Sequence, residues 1–274
     1  MENTMKEKYS VLMSLYHKEN PAYLRQALDS VFGQTVMPDD VVLVEDGKLG
    51  PELEKIVCEY ESRYPQLNVV RFEKNRGLGY ALNDGIKFCR NEIVARMDTD
   101  DIAMPERMQT ELKVMAEYPE YGMISSWIDE FVTDTAHVKL PEMPDEVMAY
   151  AKKRCPVNHP TVMYRKSEVL AVGGYQTKYF PEDYFLWIKM LMNGCKVYNI
   201  QKSLLWFRYN PDTFARRGGW KYACDEVVTQ WNMYRMGFLS FPRLITNVFI
   251  RFSVRIVPNF VRGAFYRYAL RGKT

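Results

Sequence analysis

Three carboxylates lie within four consecutive residues of this chain, at Asp98, Asp100 and Asp101. They follow residues 93–97, an apolar run suited to a buried strand. Mutual repulsion makes such a cluster unfavourable in a packed site unless a cation is shared. Hard oxygen ligands suit Mg²⁺ or Mn²⁺, which are commonly held by carboxylates together with substrate phosphates. The cluster therefore predicts a divalent-metal site, with a helix N-cap at Asp101 as the alternative.

A second acidic pair, Glu182-Asp183, stands between two aromatic pairs, Tyr179-Phe180 and Tyr184-Phe185. Aromatic neighbours that exclude water raise the pKa of a carboxyl group, which suits a general base. This environment favours a catalytic role for Asp183. The alternative is that both acids only stabilise a helix N-terminus.

Two basic, glycine-containing segments could bind anions. Asn75-Arg76-Gly77 predicts a turn that feeds a helix, with backbone N–H groups and a guanidinium available. Arg216-Arg217-Gly218-Gly219 predicts a flexible loop able to close over a diphosphate. The alternatives are an ordinary turn with a surface arginine and a solvated loop.

The first hundred residues alternate short apolar runs with helical patterns. Strands are predicted at residues 9–15, 41–44, 68–72 and 93–97, and helices begin at Pro21, at Pro51, after Gly77 and at Pro105. Such βαβ units predict an α/β fold with a mostly parallel sheet, flanked by helices. A ligand site is then expected at the carboxyl ends of the strands.

The second half of the chain has a more mixed pattern. Strands are predicted at residues 161–164 and 204–209, a turn at Gly173-Gly174-Tyr175, and helices at 183–192 and from about 219 to 236. Gly237 and Pro242 then interrupt the helical pattern. We therefore divide the chain into a catalytic domain over residues 1–236 and a helical extension over 237–274.

The composition is that of an ordinary globular protein, with 47% hydrophobic and 26% charged residues and a net charge of +3 over 274 residues. The five cysteines are widely spaced, which argues against a disulfide framework or a zinc site and favours a reducing cytoplasm. The sequence shows no signal peptide and no apolar run of the roughly 18 residues that a membrane span needs. A soluble or peripheral protein is expected, and nothing points to nucleic acid.

The C-terminal extension is basic, since no Asp or Glu follows Glu226. Apolar residues recur in it at helical spacing, at Leu244, Ile245, Val248, Phe249, Phe252 and Ile256. Arg251 and Arg255 lie one turn apart. These features predict an amphipathic helix on an anionic membrane surface. The alternative is a helix docked on the catalytic domain, with its arginines in water.

Seven motifs occur in order along residues 9–235. They are the strand ending in Ser14-Leu15-Tyr16; Ala27-Leu28-Asp29-Ser30-Val31 with Gln34-Thr35; Val42-Leu43-Val44-Glu45-Asp46-Gly47; Asn75-Arg76-Gly77 with Leu82-Asn83-Asp84-Gly85; Asp98-Thr99-Asp100-Asp101; Gly173-Gly174-Tyr175; and Glu182-Asp183-Tyr184-Phe185-Leu186-Trp187. With these motifs the chain resembles the inverting family-2 glycosyltransferases, which have the nucleotide-diphospho-sugar transferase (GT-A) fold.

The resemblance implies a role for each matching residue. Asp183 would be the catalytic base, with Glu182 beside it. Asp98, Asp100 and Asp101 would hold the ribose and a Mn²⁺ or Mg²⁺ ion on the donor diphosphate. The other donor-binding residues would be Ser14, Tyr16, Glu19, Asp46, Arg76, Asn83, Arg216 and Arg217, of which Asp46 would accept a hydrogen bond from the base. His159 and Trp187 would lie on the sugar and acceptor side.

The resemblance also implies the reaction. The chain would transfer a sugar from a nucleoside diphosphate donor, with UDP expected, to a hydroxyl of a saccharide acceptor with inversion. A lipid-linked acceptor at the inner face of the plasma membrane would place it in surface-polysaccharide assembly. One departure is that the segment Trp206-Phe207-Arg208-Tyr209-Asn210 lacks the histidine that many relatives carry there. The alternatives are a sugar-phosphate nucleotidyltransferase and a degenerate sugar-binding module.

Overall fold

The computed structural model describes residues 7–131, 136–138, 140, 144–176, 181–208 and 219–256. Within these residues the chain forms one mixed sheet with helices on both faces. The strands are β1 Tyr9–Leu15, β2 Asp40–Glu45, β3 Leu67–Arg71, β4 Ile93–Arg96, β5 Ile102–Ala103, β6 Tyr121–Phe131, β7 Ala136–Val138, β8 Met163–Arg165 and β9 Lys196–Arg208.

The helices are α1 Pro21–Phe32, α2 Pro51–Arg63, α3 Leu78–Gly85, α4 Arg107–Glu117, α5 Pro144–Ala151, α6 Lys166–Ala171, α7 Glu182–Met192, α8 Trp220–Arg235 and α9 Phe241–Ile256. The starts predicted at Pro21, at Pro51 and after Gly77 are confirmed, whereas the helix predicted from Pro105 begins two residues later, at Arg107. In α1, the Asn20 side chain caps the helix by accepting a hydrogen bond from the Ala22 N–H at 2.9 Å.

The sheet has a parallel half and a mixed half. Its strand order is β3-β2-β1-β4-β8-β6-β9-β5, with β7 added beside β6. The first four strands pair in parallel, as the alternating pattern predicts. Beyond β4 only β6 and β9 pair in parallel, and the other pairings are antiparallel. The long central strand β6 is not among the strands that the sequence pattern predicts.

Strands β1, β2 and β4 are buried on both faces, and their side chains alternate between two apolar cores. Val11 and Met13 of β1 join the core beneath α1, α2 and α4, whereas Leu12 joins the core beneath α3 and α7. Val41 and Val42 of β2 divide in the same way. Burial on both faces explains why these strands appear as continuous apolar runs in the sequence.

The carboxyl ends of β1, β2 and β4 lie side by side in the parallel half of the sheet. Leu15 pairs with Glu45, and Leu12 pairs with Arg96, so Tyr16, Asp46 and the Asp98–Asp101 segment emerge together. The short strand β5 follows Asp101 at once and pairs with the end of β9. The C-terminal end of the sheet is therefore the place where the predicted site residues can converge.

One predicted strand, over residues 161–164, is displaced. Residues His159–Thr161 form a 3₁₀ helix, and β8 begins only at Met163. Pro160 suits the first turn of a helix, and the Thr161 hydroxyl donates to the Asn158 carbonyl at 3.0 Å. Local hydrogen bonding therefore prevails over the β propensity of this segment.

The C-terminal helix α9 docks on α8. Leu244 and Asn247 are buried, and Asn247 Nδ2 donates to the Gln230 side chain and to the Lys152 carbonyl, both at 2.8 Å. Gly237, at the predicted domain boundary, turns the chain with φ +82°. No helix in the described part of the chain is both long enough and apolar enough to cross a bilayer.

Candidate active site

A cleft of about 1500 Å³ opens at the carboxyl ends of the parallel strands. It brings together residues far apart in the sequence: Ser14, Tyr16, Asp46, Asp98, Asp100 and Asp183 all line it. Two aspartates of the predicted metal site, Asp98 and Asp100, therefore face one cavity with the predicted base, whereas Asp101 is buried behind them and does not line the cleft.

The three clustered aspartates have the geometry of a cation site. One carboxylate oxygen from each of Asp98, Asp100 and Asp101 lies within 4.8 Å of the others. Asp101 is fully buried; its Oδ1 accepts the Arg208 N–H at 2.7 Å, whereas its Oδ2 has no hydrogen-bond partner among the described residues. A buried carboxylate oxygen without a donor indicates that a further positive group belongs there.

Burial and the neighbouring carboxylates favour the neutral form of these carboxyl groups, and the positive charges of the protein do not offset this effect. Burial, with the nearby charges of Asp98 and Glu19, raises the pKa of Asp100 to about 7. Burial and the charges of Asp98 and Asp100 hold the pKa of Asp101 well above its usual range. A shared divalent cation would remove this penalty, so the residues present fit Mg²⁺ or Mn²⁺.

Two arginines beside the cluster are not among the predicted site residues. The fully buried Arg96 forms an ion pair with Asp98, and its Nε has no hydrogen-bond partner in the described structure. Arg208, at the end of β9, donates from Nε to the Asp100 carbonyl at 2.7 Å and stacks 3.8 Å from the Tyr23 ring centroid. The position of Arg96 two residues before Asp98 could have signalled its role.

Ser14, Tyr16 and Glu19 line the cleft as predicted. They are connected to the acidic cluster through Thr99, whose hydroxyl lies 2.7 Å from Glu19 Oε2 and 3.3 Å from the Ser14 carbonyl oxygen. Thr99 lies between the end of β1 and the aspartates, so it fixes how these two segments are positioned.

Asp46 organises the loop that faces it. Its two carboxylate oxygens accept the backbone N–H groups of Arg76 and Gly77, each at 2.8 Å. Each oxygen retains a second lone pair, so the predicted hydrogen bond from a nucleobase stays available. Gly77 has φ +96°, a conformation that favours glycine.

Arg76 and Asn83 do not line the cleft. The Arg76 guanidinium pairs with Asp84 at 2.7 Å and lies over the Phe72 ring, 4.3 Å from its centroid. Asn83 lies against Gly174, where an added Cβ would approach Asn83 Oδ1 to 2.0 Å. Both side chains thus make contacts outside the cleft. Arg76 contributes to the site through its backbone N–H, which donates to Asp46.

Glu182 and Asp183 begin α7 and line the cleft. Burial, with the charge of Asp183 next, raises the pKa of Glu182. Asp183 Oδ1 accepts the Tyr184 N–H at 2.7 Å, and Oδ2 lies 3.7 Å from His159 Nδ1. Both acids also gain from the positive end of the helix dipole, as the alternative interpretation holds.

His159 lines the cleft, and behind it lies an aromatic cluster. Its Nε2 is 3.2 Å from the Tyr175 hydroxyl, and its ring packs 5.9 Å from the Trp187 ring. Burial and the nearby Arg96 charge keep the His159 pKa well below its usual range, so the imidazole is neutral at pH 7. Trp187 itself is fully buried and does not line the cleft.

Some predicted residues lie outside the described part of the chain, namely Arg216, Arg217, Tyr179 and Phe180. The other aromatic pair is described: Tyr184 and Phe185 are each 2% exposed. Tyr184 also borders the cleft, and its hydroxyl donates to the Ala151 carbonyl at 2.6 Å.

Known proteins match both the sequence and this architecture. The model of the family "Glycosyl transferase family 2" matches residues 10–172. An Escherichia coli UDP-Gal:alpha-D-GlcNAc-diphosphoundecaprenol beta-1,3-galactosyltransferase is 39% identical over 96% of this chain and 97% of its own length. The amylovoran biosynthesis glycosyltransferase AmsE of Erwinia amylovora is 35% identical over 96% of this chain and 100% of its own length.

Among solved structures, a mannosyltransferase from Pyrobaculum calidifontis in complex with GDP-Man and Mn²⁺ superposes with a TM-score of 0.66. It is 17% identical and the match covers 97% of this chain and 71% of that chain, so it bears on the fold alone.

Proposed function

This chain belongs to glycosyltransferase family 2 and has the GT-A fold, and we propose that it transfers a sugar from a UDP-linked donor to a hydroxyl of a lipid-linked saccharide in surface-polysaccharide assembly. The observation that carries this proposal is the shared cleft. Asp98, Asp100 and Asp183 line one cavity, where a diphosphate and an acceptor hydroxyl can meet. The name of the E. coli relative supports the donor and acceptor classes, and the name of the Erwinia relative supports a role in biosynthesis of a polymer.

In the proposed reaction, Asp183 takes the proton from the acceptor hydroxyl while that oxygen attacks the anomeric carbon of the donor sugar. The nucleotide leaves from the opposite face, so the configuration inverts. The neutral His159 lies 3.7 Å from the Asp183 carboxylate and lines the same cleft without adding a positive charge.

Asp98, Asp100 and Asp101 would hold a Mn²⁺ or Mg²⁺ ion, which screens the charge of the departing diphosphate as a Lewis acid. Ser14, Tyr16 and Asp46 would bind the nucleoside beside it. Arg208 anchors the Asp100–Asp101 backbone and keeps the oxygen ligands in place.

A UDP-release assay tests the proposal. With a UDP-sugar, an acceptor and Mn²⁺ we expect UDP to accumulate, EDTA to stop the reaction, and excess Mn²⁺ to restore it. A nucleotidyltransferase would instead release pyrophosphate from UTP and a sugar phosphate. A sugar-binding module would release neither product. UDP release that continues unchanged in EDTA would contradict the metal assignment.

We also propose that the exposed edge of α9 rests on the inner face of the plasma membrane. Phe241, Ile245 and Phe249 recur every four residues and are 54–72% exposed. Arg251 and Arg255, which the sequence analysis assigned to anionic lipid, instead pair with the buried Glu226. The apolar edge would therefore make the contact, aided by the acid-free segment that follows Glu226.

Co-sedimentation with vesicles of phosphatidylglycerol and phosphatidylethanolamine tests this contact. Changing Phe241, Ile245 and Phe249 to Ser should abolish pelleting. The matched control changes three exposed apolar residues of the catalytic domain, Phe88, Tyr118 and Leu170, to Ser, and it should pellet like the unmodified protein. If the unmodified protein stays in the supernatant, the proposed binding of α9 to the membrane is wrong.

A further inference from the structure

Four cationic side chains line the same cleft as the aspartates. Lys153 and Arg154 follow the C-terminus of α5, and Arg251 and Arg255 lie one turn apart on α9. We call these four residues the cationic wall. The wall exists only because α9 docks, since Arg251 Nη2 donates to the Lys153 carbonyl at 2.7 Å across 98 residues of sequence.

Two of the four cations of the wall have no ion-pair partner among the described residues. Arg251 and Arg255 share the single carboxylate of Glu226, with N–O distances of 3.0–3.1 Å. Lys153 and Arg154 take part in no ion pair within the described residues. Crowded like charges in a partly closed cleft favour a bound anion.

The wall stands next to the proposed base. The Arg251 guanidinium lies 5.6 Å from the centroid of the Tyr184 ring, and Tyr184 directly follows Asp183. The Tyr184 hydroxyl donates to Ala151, which ties the beginning of α7 to the end of α5. An acceptor sugar with its hydroxyl at Asp183 would therefore hold its anomeric substituent close to these cations.

An apolar path leads out of the cleft beside the wall. Ile250 and Val254 line the cleft on the same helix, and Ile250 is 54% exposed. Trp220 is 69% exposed and packs edge-on against Phe252 at 5.2 Å. A cationic site that continues into exposed apolar side chains suits a ligand with an anionic head and a hydrocarbon chain.

We propose that the cationic wall binds the diphosphate of the acceptor, in a subsite separate from the aspartates that serve the donor. This inference rests on the proposed function, because it concerns the acceptor of that same reaction. Guanidinium groups bind phosphate oxygens in bidentate fashion, and Lys153 adds a point charge. A favourable interaction with the helix dipole would by itself explain Lys153 and Arg154, which follow the C-terminus of α5. It does not explain why α9 brings Arg251 and Arg255 to the same cleft.

The test measures binding of octyl diphosphate, a probe without sugar, to the full chain with its donor site filled by UDP and Mn²⁺. Calorimetry should give a Kd at least 10-fold tighter than for octanol. The double variant Lys153→Ala, Arg154→Ala should weaken octyl diphosphate binding at least 10-fold and leave UDP binding unchanged. The matched control is Lys55→Ala, Lys113→Ala, which removes two exposed lysines elsewhere and should bind like the unmodified protein.

The outcomes separate this inference from the proposed function. A chain that does not bind UDP with Mn²⁺ contradicts the proposed function. A chain that binds UDP but binds octyl diphosphate no better than octanol overturns the subsite. Equal loss in the double variant and its lysine control also overturns it, because general charge attraction would then account for the binding.

Discussion

Two parts of the cleft, the proposed donor end and the proposed acceptor end, carry opposite charge and are built in different ways. At the proposed donor end, carboxylates within four consecutive residues follow a single strand, and one oxygen of each lies within 4.8 Å of the others. At the proposed acceptor end, cations of α9 meet cations that follow α5, across about a hundred residues of sequence. A donor diphosphate would bind through a metal, whereas an acceptor diphosphate would bind directly to side chains.

The aspartate cluster depends on residues that are close in the sequence, whereas the cationic wall depends on contacts between distant segments of the chain. Strand β4 delivers Asp98, Asp100 and Asp101 to one place because they are consecutive or nearly so in the chain, and the distant Arg208 only adds hydrogen bonds to them. The cationic wall forms only if α9 docks on α8 through contacts such as Asn247 with Gln230. Substitutions at the two ends should therefore have separable effects on donor and acceptor.

The largest expected effect comes from Asp183→Asn. An amide cannot take the proton from the acceptor, so kcat should fall by about 10²–10⁴-fold while the Kd for UDP and Mn²⁺ is unchanged. Steady-state kinetics and calorimetry measure both quantities. Glu52→Gln is the control, because Glu52 also lies in the first turn of a helix but on α2. Similar losses in both variants would support the helix-dipole role and reject Asp183 as the base.

A smaller effect is expected from Thr99→Val at the donor end. Valine keeps the shape but loses the 2.7 Å hydrogen bond to Glu19, so the donor KM should rise by about 5-fold, as the loss of roughly 1 kcal/mol implies. The acceptor KM should stay constant. Thr110→Val on α4, whose hydroxyl donates to the Glu106 carbonyl at 2.8 Å, controls for the loss of a threonine hydrogen bond. An acceptor KM that rises as much as the donor KM would show that the two ends are not separable.

The last expected effect concerns folding stability and not turnover. Burial raises the pKa of Glu45 from 4.5 to about 7, so folding favours its neutral form. Its stabilising contribution is complete below pH 4.5 and is lost as the pH rises through 7. Glu45→Gln should therefore gain stability relative to the unmodified protein, by about 3 kcal/mol between pH 4.5 and 8. Urea unfolding at both pH values measures the free energy of unfolding of the variant and of the unmodified protein. A difference between the two proteins that does not change with pH would refute the raised pKa of Glu45.

The sequence identified the parallel half well, for physical reasons. Strands buried on both faces are continuous apolar runs, and prolines and Asn20 mark the helix starts. It did not reveal β6, whose partners β8 and β9 come much later in the chain. Pairing with distant strands leaves little local signal, so this half needed the folded structure.

Individual site residues show the same limit. Arg76 and Asn83 belong to recognisable motifs, yet Asp84 and Gly174 occupy their side chains. Trp187 lies one turn after Asp183 on the same face of α7, yet it is fully buried because His159 and Tyr175 pack against its ring. Arg96 contacts the aspartate cluster although nothing in its residue type distinguishes it from a surface arginine.

By itself the sequence determined the acidic cluster, the acidic pair at the start of α7 and the α/β class, because each depends on residues that are adjacent or periodic in the chain. Only the tertiary structure decided that Arg251 and Arg255 turn inwards to Glu226 and border the cleft. An amphipathic helix has the same pattern whether it lies on lipid or on protein, and its location depends on the surface that buries its apolar and charged groups.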